Sequence, residues 1–208
     1  MSDHSSAAEV FDALAGRYEE AFGEVPARLE ALDWLTARLP RGARVLDVGS
    51  GTGRPTAETL AGAGCSVTGI DVSREMVALA RARVPGARFE QADVRTYTPE
   101  EDGFDAVCAF FALLMMDQPE VAGALRRMAS WVAPGGYFVL ATVPGDIRNL
   151  DIEWMGHRIT VSSLSTEDHL AVLETAGLEV LEHHTRAFRP HGGQGDPEEH
   201  LLCLARRP

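Results

Sequence analysis

One short stretch of the chain constrains the fold strongly, because an apolar strand-like sequence runs directly into three closely spaced glycines. The stretch reads VLDVGSGTG over residues 45–53, with Gly49, Gly51 and Gly53 separated by one residue each. Glycine accepts positive φ and lets the backbone approach a ligand closely where a side chain would block it. A strand that enters such a loop and leaves it as a helix is typical of a nucleotide-binding turn.

Strand-like and helix-like patterns alternate after a break at residues 40–42. The predicted strands cover residues 44–48, 66–70, 88–91, 105–110 and 136–143, and helices are predicted at 74–83 and 119–131. Such alternation indicates a parallel sheet with right-handed crossovers. The end of the chain differs, since a helix at 166–176 is followed by two long strands, 178–188 and 200–206, joined by a loop rich in glycine and proline. We therefore expect an α/β fold whose last strand is antiparallel.

The N-terminal region is predicted to be helical. Ser6 and Glu9 have the spacing of a capping box, and apolar residues from Val10 to Phe22 recur with helical periodicity. Pro26 suits the first turn of a second helix that carries Leu29, Leu32 and Leu35.

Composition and charge exclude several classes of function. The chain has 208 residues and a formal net charge of −12, which disfavours a nucleic-acid partner. Its positive charge is carried by arginine alone, so a lysine nucleophile or a Walker A lysine is excluded. The longest apolar run, 106–116, is too short to span a bilayer, and the N-terminus has no signal-peptide pattern. We expect a cytoplasmic protein with no membrane partner and no metal, with Cys65, Cys108 and Cys203 as buried thiols.

Three aspartates follow or end three successive predicted strands. Asp47 would repel a pyrophosphate but attract an α-ammonium group, which favours a nucleotide that carries an amino acid. Asp71, twenty residues beyond Gly51, is positioned to accept both ribose hydroxyls, and Asp93 to accept an exocyclic adenine amine. The carboxyl ends of strands are where open α/β sheets bind ligands. Asp47 and the GxGxG spacing together disfavour a nicotinamide oxidoreductase.

These segments together resemble the class I S-adenosylmethionine-dependent methyltransferases. VLDVGSGTG is similar to the first motif of that family, VTGIDVS to the second, QADVR to the third, FDAVCAFFALL to the fourth-strand motif and WVAPGGYFVLATV to the fifth strand. The resemblance covers about residues 44–143. It implies a Rossmann-like, seven-stranded, mostly parallel sheet with an antiparallel last strand and helices on both faces. It also implies one domain over 1–208, divided into an N-terminal helical lid (1–42), a cofactor-binding core (43–143) and an acceptor cap with a C-terminal hairpin (144–208).

The resemblance further implies a site for S-adenosylmethionine. Its residues would be Tyr18, Asp47, Gly49, Ser50, Gly51, Asp71, Val72, Met76, Asp93, Val94 and Phe110. By analogy Asp47 and the glycine loop hold the methionine part, Asp71 the ribose, and the later residues the adenine, while Tyr18 approaches the carboxylate of the cofactor from the lid. From the residues alone, Met76, Phe110 and Tyr18 are also typical of core side chains, and Asp71 of a helix cap.

The acceptor side is less constrained by the sequence. The segment CAFFALLMMDQPE lacks the Asn/Asp-Pro-Pro-Tyr/Phe sequence expected for methylation of amino nitrogens in DNA bases or protein amides, and Met115 and Met116 indicate an apolar pocket wall. His157, in the insertion after the fifth strand, and His200, in the tail, are the candidate catalytic bases. Asp117, Glu153 or a mechanism of proximity and desolvation alone are the alternatives.

We therefore expect an S-adenosylmethionine-dependent methyltransferase, similar to small bacterial members of the family, that acts on a small molecule and releases S-adenosylhomocysteine. A secondary metabolite is one candidate acceptor, and oxygen, nitrogen, sulfur and carbon all remain open as the nucleophile. Two alternatives keep the cofactor, namely a cyclase without methyl transfer and a module that senses S-adenosylmethionine or its product. The sequence carries no signal for an oligomeric state.

Overall fold

The computed structural model describes residues 6–23, 25–100, 103–189 and 197–208, which form a large sheet with helices and a separate two-stranded hairpin. The helices are α1 (Ala7–Leu14), α2 (Gly16–Phe22), α3 (Pro26–Thr36), α4 (Thr56–Gly62), α5 (Arg74–Arg83), α6 (Gln118–Ser130) and α7 (Thr166–Thr175). The strands are β1 (Arg44–Val48), β2 (Ser66–Asp71), β3 (Arg88–Gln91), β4 (Phe104–Phe110), β5 (Val132–Thr142), β6 (Ile147–Trp154), β7 (His157–Ser163), β8 (Glu179–Phe188) and β9 (Glu198–Arg206).

The large sheet has seven strands in the order β3-β2-β1-β4-β5-β9-β8. Strands β1 to β5 pair in parallel, and β9 pairs antiparallel with both β5 and β8. The predicted fold class, mostly parallel with an antiparallel last strand, is confirmed. The strand order reverses at β1, which lies between β2 and β4, and this reversal opens a crevice at the carboxyl ends of the strands.

Helices cover both faces of the sheet because neighbouring strand residues point to opposite sides. Val45 belongs to the apolar core under α3, α4 and α5, whereas Leu46 belongs to the core under α6 and α7. Both side chains are fully buried, so the two cores hold β1 from either side. The carboxyl end of this buried strand is therefore a rigid base for the loop that follows it.

The N-terminal region differs from the prediction in two respects. The capping box of Ser6 and Glu9 forms as predicted, but the helix breaks at Ala15, whose φ is 42°, and continues as α2. In α3 the side chain of Leu29 is 40% exposed, whereas Arg28 is buried. Apolar periodicity alone therefore assigned the wrong residue to the inner face at this turn.

The hairpin of β6 and β7 occupies the insertion after the fifth strand, for which the sequence analysis predicted no secondary structure. Its strands pair antiparallel, and Met155 and Gly156 form the turn with φ values of 49° and 82°. Two positive φ values in a two-residue loop match the twist of a hairpin. The predicted loop between the last two strands falls mostly on residues 190–196, outside the described residues. Within the described ranges, no helix is long and apolar enough to cross a bilayer.

Candidate active site

A cavity of about 550 Å³ lies at the carboxyl ends of the parallel strands. The loops after β1, β2, β3 and β4 form one side of it, and α1, α2 and the β6–β7 hairpin contribute the other. All the cofactor residues implied by the resemblance line this cavity, namely Tyr18, Asp47, Gly49, Ser50, Gly51, Asp71, Val72, Met76, Asp93, Val94 and Phe110. The fold thus brings them to one place, and the roles assigned to them stay predictions.

The glycine loop after β1 needs glycine for two different reasons. At Gly49, with φ of 70°, a β-carbon would overlap the side chain of Ala112. At Gly51, with φ of 52°, a β-carbon would meet no protein atom within 4 Å, so the space beside it is open. A loop whose backbone lines open space has room for a ligand at van der Waals distance.

Asp71 at the end of β2 ties two cavity loops together. Its carboxylate accepts hydrogen bonds from the backbone N–H groups of Gly51, at 2.8 Å, and Ser73, at 2.9 Å. Burial raises the pKa of Asp71, and these backbone hydrogen bonds oppose that effect. The cap of α5 is the hydroxyl of Ser73, so Asp71 is not itself the side-chain cap of that helix.

Asp47 near the end of β1 is 2% exposed, and its Oδ2 is buried without a hydrogen-bond partner. Burial raises the pKa of Asp47 to about 7, and the positive charge of Arg28 opposes the rise. The hydroxyl oxygen of Ser50 in the next loop is likewise buried and unpartnered. Buried polar atoms without partners are rare in folded proteins, and one common explanation is a ligand that completes them.

Arg28 is a cavity residue that the sequence analysis missed. It lies in the first turn of α3, is 6% exposed and donates a hydrogen bond to the carbonyl of Phe22. Its Nε is buried without a partner, and its charge lowers the pKa of both Asp47 and Tyr18 against the dominant effect of burial. A guanidinium is costly to bury alone, and here its charge acts on the buried carboxylate of Asp47. No local pattern distinguishes this arginine from the exposed ones.

Asp93, beyond the end of β3, already has a partner. Arg95 donates to its carboxylate through Nη2 at 2.6 Å and through its backbone N–H at 2.8 Å, and this contact lowers the pKa of Asp93. Arg95 also pairs with Glu120 at 2.8 Å. Val94 and Met76 are buried nearby on the cavity wall. Any contact of Asp93 with an adenine amine would share the carboxylate with Arg95.

Two carboxylates hold the N-terminal helices α1 and α2 to the loops that line the cavity. Asp12 of α1 accepts a hydrogen bond from the Ser73 hydroxyl at 2.5 Å, and Glu19 of α2 accepts one from the Thr52 hydroxyl at 2.6 Å. Tyr18 packs between the rings of Phe11 and Phe22, with centroid distances of 5.5 and 5.2 Å. These contacts join the α1–α2 segment to the rim of the cavity.

The two histidines proposed as bases lie in different surroundings. His200 of β9 lines the cavity, is 2% exposed and has its Nε2 2.9 Å from Glu198, while its Nδ1 is buried without a partner. His157 begins β7 opposite Trp154, and it falls outside the described residues that line the cavity. Asp117 caps α6, and Glu153 is exposed on the hairpin. Of these four candidates, the fold brings His200 to the cavity.

A separate group of titratable side chains lies on α3 and β8. Ligand atoms of Glu30, Glu182 and His184 lie within 4.8 Å of one another. Glu30 also pairs with Arg186 at 3.2 Å. The guanidinium of Arg186 therefore already provides a positive charge beside these carboxylates. None of these residues is among the described residues that line the cavity.

The chain is similar to known proteins over this part of the fold. A family profile described as "Methyltransferase domain" matches residues 45–136. A ubiquinone biosynthesis O-methyltransferase of Xanthomonas axonopodis pv. citri is 36% identical over 152 residues, which is 67% of this chain and 62% of that protein. A trans-aconitate 2-methyltransferase of Variovorax paradoxus is 37% identical over 132 residues, 62% of this chain and 48% of that protein.

Solved structures share the same architecture. The [4+2]-cyclase SpnF superposes with a TM-score of 0.73 at 23% identity, over 97% of this chain and 95% of that one. The present chain spans only about half to three fifths of the length of the two curated relatives. Strand order, glycine loop, profile match and relatives agree, and the chain belongs to the class I S-adenosylmethionine-dependent methyltransferase family.

Proposed function

We propose that this chain binds S-adenosylmethionine in the cavity and transfers its methyl group to a hydroxyl oxygen of a small molecule, leaving S-adenosylhomocysteine. The observation that carries the proposal is the set of buried, unpartnered polar atoms on the cofactor side of the cavity, at Arg28, Asp47 and Ser50. A carboxylate and a guanidinium buried on the wall of one cavity suit the ammonium and carboxylate groups of an amino acid.

The remaining wall suits the nucleoside part of the cofactor. Asp71 would accept the ribose hydroxyls. Each of its carboxylate oxygens accepts one backbone N–H, and each has a further lone pair for a ligand hydroxyl. Val72 and Met76 would contact the adenine face, Asp93 and Val94 its edge, and Phe110 would close the site. The bound cofactor supplies a methyl group activated on a sulfonium. The chain contributes orientation and exclusion of water, which are the main needs of a displacement that disperses charge.

The choice of oxygen as the nucleophile rests on His200 and on the relatives. An imidazole held by a carboxylate is suited to remove a proton from a hydroxyl group. The Xanthomonas relative is a ubiquinone biosynthesis O-methyltransferase, which supports oxygen as the methylated atom in this chain as well. A secondary metabolite remains one candidate acceptor for this chain.

The test is product analysis with S-adenosylmethionine that carries an isotopically labelled methyl group, offered with a panel of small hydroxyl compounds. We expect label in the product and one S-adenosylhomocysteine per methyl transferred. A rearranged, unlabelled product would indicate a cyclase, since proteins of this fold include one. Binding without any product would indicate a sensing module.

Substitution of each histidine in the same assay tests the base. We expect His200→Ala to lose roughly 10²–10⁴-fold in turnover, the usual scale for a general base, with cofactor affinity near wild type. His157→Ala should keep its turnover because His157 lies away from the cavity wall. Equal loss in both variants, or none in His200→Ala, would contradict the assignment of the base.

A further inference from the structure

The part of the cavity that faces the hairpin is apolar. We call it the acceptor wall and define it by six lining side chains, Met115, Met116, Ile152, Trp154, Ile159 and Val161. Most of them also pack against the small core that Val10, Leu14 and Ile159 form under the lid. A molecule that touches this wall gains by removing apolar surface from water.

The two serines beside the acceptor wall offer little to a ligand because their hydroxyls are already bonded within the chain. The Ser162 hydroxyl accepts from the backbone N–H of Asn149 at 3.0 Å and donates to its side-chain oxygen at 3.3 Å. The Ser163 hydroxyl donates to the carbonyl of Val143. A polar ligand group would have to displace one of these bonds.

The charged residues of the cavity disfavour an anionic acceptor. Among the described residues that line it, the acids are Glu19, Asp47, Asp71, Asp93 and Glu198, five in number, against three arginines, Arg28, Arg54 and Arg95. Arg54 pairs with Glu58 at 2.9 Å, and Arg95 pairs with Asp93 and Glu120. The charge of Arg28 lowers the pKa of Asp47 and of Tyr18, at the end of the cavity proposed for the cofactor. A carboxylate on the acceptor would therefore meet net negative charge and no cation that is free to pair with it.

His200 supplies the polar atom that an acceptor needs. Its ring lies between those of Phe111 and Phe188, with centroid distances of 4.4 and 4.5 Å. Glu198, two residues earlier in β9, accepts a hydrogen bond from the Nε2–H of His200 at 2.9 Å. In the neutral ring, Nδ1 then carries the lone pair and can only accept. That Nδ1 is buried without a partner, so a group that donates a hydrogen bond would satisfy it.

We infer that the acceptor is an apolar molecule with a single weakly acidic hydroxyl, such as a phenol or an enol, and not a polycarboxylate. The inference rests on the proposed function. The hydroxyl donates to Nδ1 of His200 while the apolar body of the molecule covers the acceptor wall. The oxygen forms a bond to the methyl carbon as the carbon–sulfur bond breaks and its electron pair stays on sulfur. The hydroxyl proton passes to Nδ1, and Glu198 stabilises the imidazolium that results.

The test uses four probes added to the protein saturated with S-adenosylhomocysteine, with binding measured by calorimetry. The probes are 4-heptylphenol, heptylbenzene, heptylamine and trans-aconitate. We expect 4-heptylphenol to bind roughly tenfold more tightly than heptylbenzene, because only the phenol can donate a hydrogen bond to Nδ1 of His200. We expect trans-aconitate not to bind at millimolar concentration, and heptylamine to bind more weakly than the phenol.

Variants of His200 show whether the hydroxyl selectivity comes from this residue. His200→Ala and His200→Gln should bring the phenol-to-heptylbenzene affinity ratio down to about one to three, with S-adenosylhomocysteine affinity near wild type. The matched control is His183→Ala, since His183 is exposed on β8 and should keep the ratio. If His200→Ala fails to fold, the affinity ratio in His200→Gln, compared with the ratio in the wild type, still tests the role of His200.

Three results would overturn the inference. They are tighter binding of trans-aconitate or heptylamine than of the phenol, equal binding of the phenol and heptylbenzene to the wild type, and an unchanged ratio in a folded His200 variant. Any of these results with normal S-adenosylhomocysteine binding would leave the proposed function intact. A protein that does not bind S-adenosylhomocysteine would overturn both.

Discussion

At the residue scale, the carboxylate of Asp47 is buried and one of its oxygens has no hydrogen-bond partner. Its protonation changes near neutral pH. Its pKa in the native chain, about 7, lies above the value of about 3.9 expected in the unfolded chain. Between these values the native state holds a proton that the unfolded state has released. The free energy of unfolding contributed by this group is therefore fully present below about pH 4 and is lost as the pH rises to about 7.

The direction of this pH dependence predicts the stability of Asp47→Asn, whose side chain does not titrate. We expect the stability of the variant, relative to wild type, to rise as the pH is raised from about 4.5 to about 7.5, because wild type alone loses the Asp47 contribution. Urea denaturation of the ligand-free protein at several pH values measures the difference. A difference that stays constant over this range would contradict the raised pKa.

At the same scale, Gly51 borders open space on the wall of the cavity. We expect Gly51→Val to lose measurable S-adenosylhomocysteine binding, because the side chain would enter the open space that the glycine borders. Calorimetry gives the affinity, and circular dichroism checks the fold. The matched control is Gly42→Val, since Gly42 also has positive φ, 82°, and open space but does not line the cavity. Equal affinities in the two variants would refute the position of the loop in the site.

At the scale of elements, the short helices α1 and α2 depend on contacts with the cofactor loops. Asp12 accepts hydrogen bonds from the Ser73 hydroxyl and, at 3.1 Å, from the backbone N–H of Glu75. Isolated helices of this length are marginal in water, so their order comes from tertiary contacts of this kind. The same Ser73 hydroxyl caps α5, and its backbone N–H donates to Asp71, which links the lid to the predicted ribose site.

We therefore expect Asp12→Asn to increase hydrogen exchange in α1 and to weaken S-adenosylhomocysteine binding roughly 3–10-fold, the scale of one ordinary hydrogen bond. Exchange mass spectrometry and calorimetry give the two quantities. Asp33→Asn, an exposed aspartate of α3, controls for the loss of one negative charge. If the two variants behave alike, the lid contact does not contribute to binding.

At the scale of the whole molecule, a ligand that binds only the native state raises its stability. We expect S-adenosylmethionine or S-adenosylhomocysteine at about a hundred times its dissociation constant to raise the melting temperature by roughly 5–11 °C, which corresponds to about 2.7 kcal/mol in a chain of this size. NADH should not change it. Stabilisation by NADH but by neither sulfur nucleotide would contradict the assigned cofactor.

The sequence by itself determined the features that depend on a few neighbouring residues. The alternation of strands and helices predicted the sheet, because side-chain periodicity follows from local backbone geometry. The glycine spacing and the aspartates at the strand ends predicted which residues meet at the carboxyl edge, since parallel strands bring those ends together. Gly49, Gly51 and the three aspartates lie on the wall of one cavity.

Only the tertiary structure decided which polar groups are buried together. Arg28 enters the cavity while Leu29 faces solvent, and His200, unlike His157, reaches the cavity wall. These outcomes depend on contacts between segments far apart in the chain, so no short window of sequence contains them. The hairpin of β6 and β7 was not predicted from the sequence, and its place beside the cavity depends on packing against the α1 side chains Val10 and Leu14.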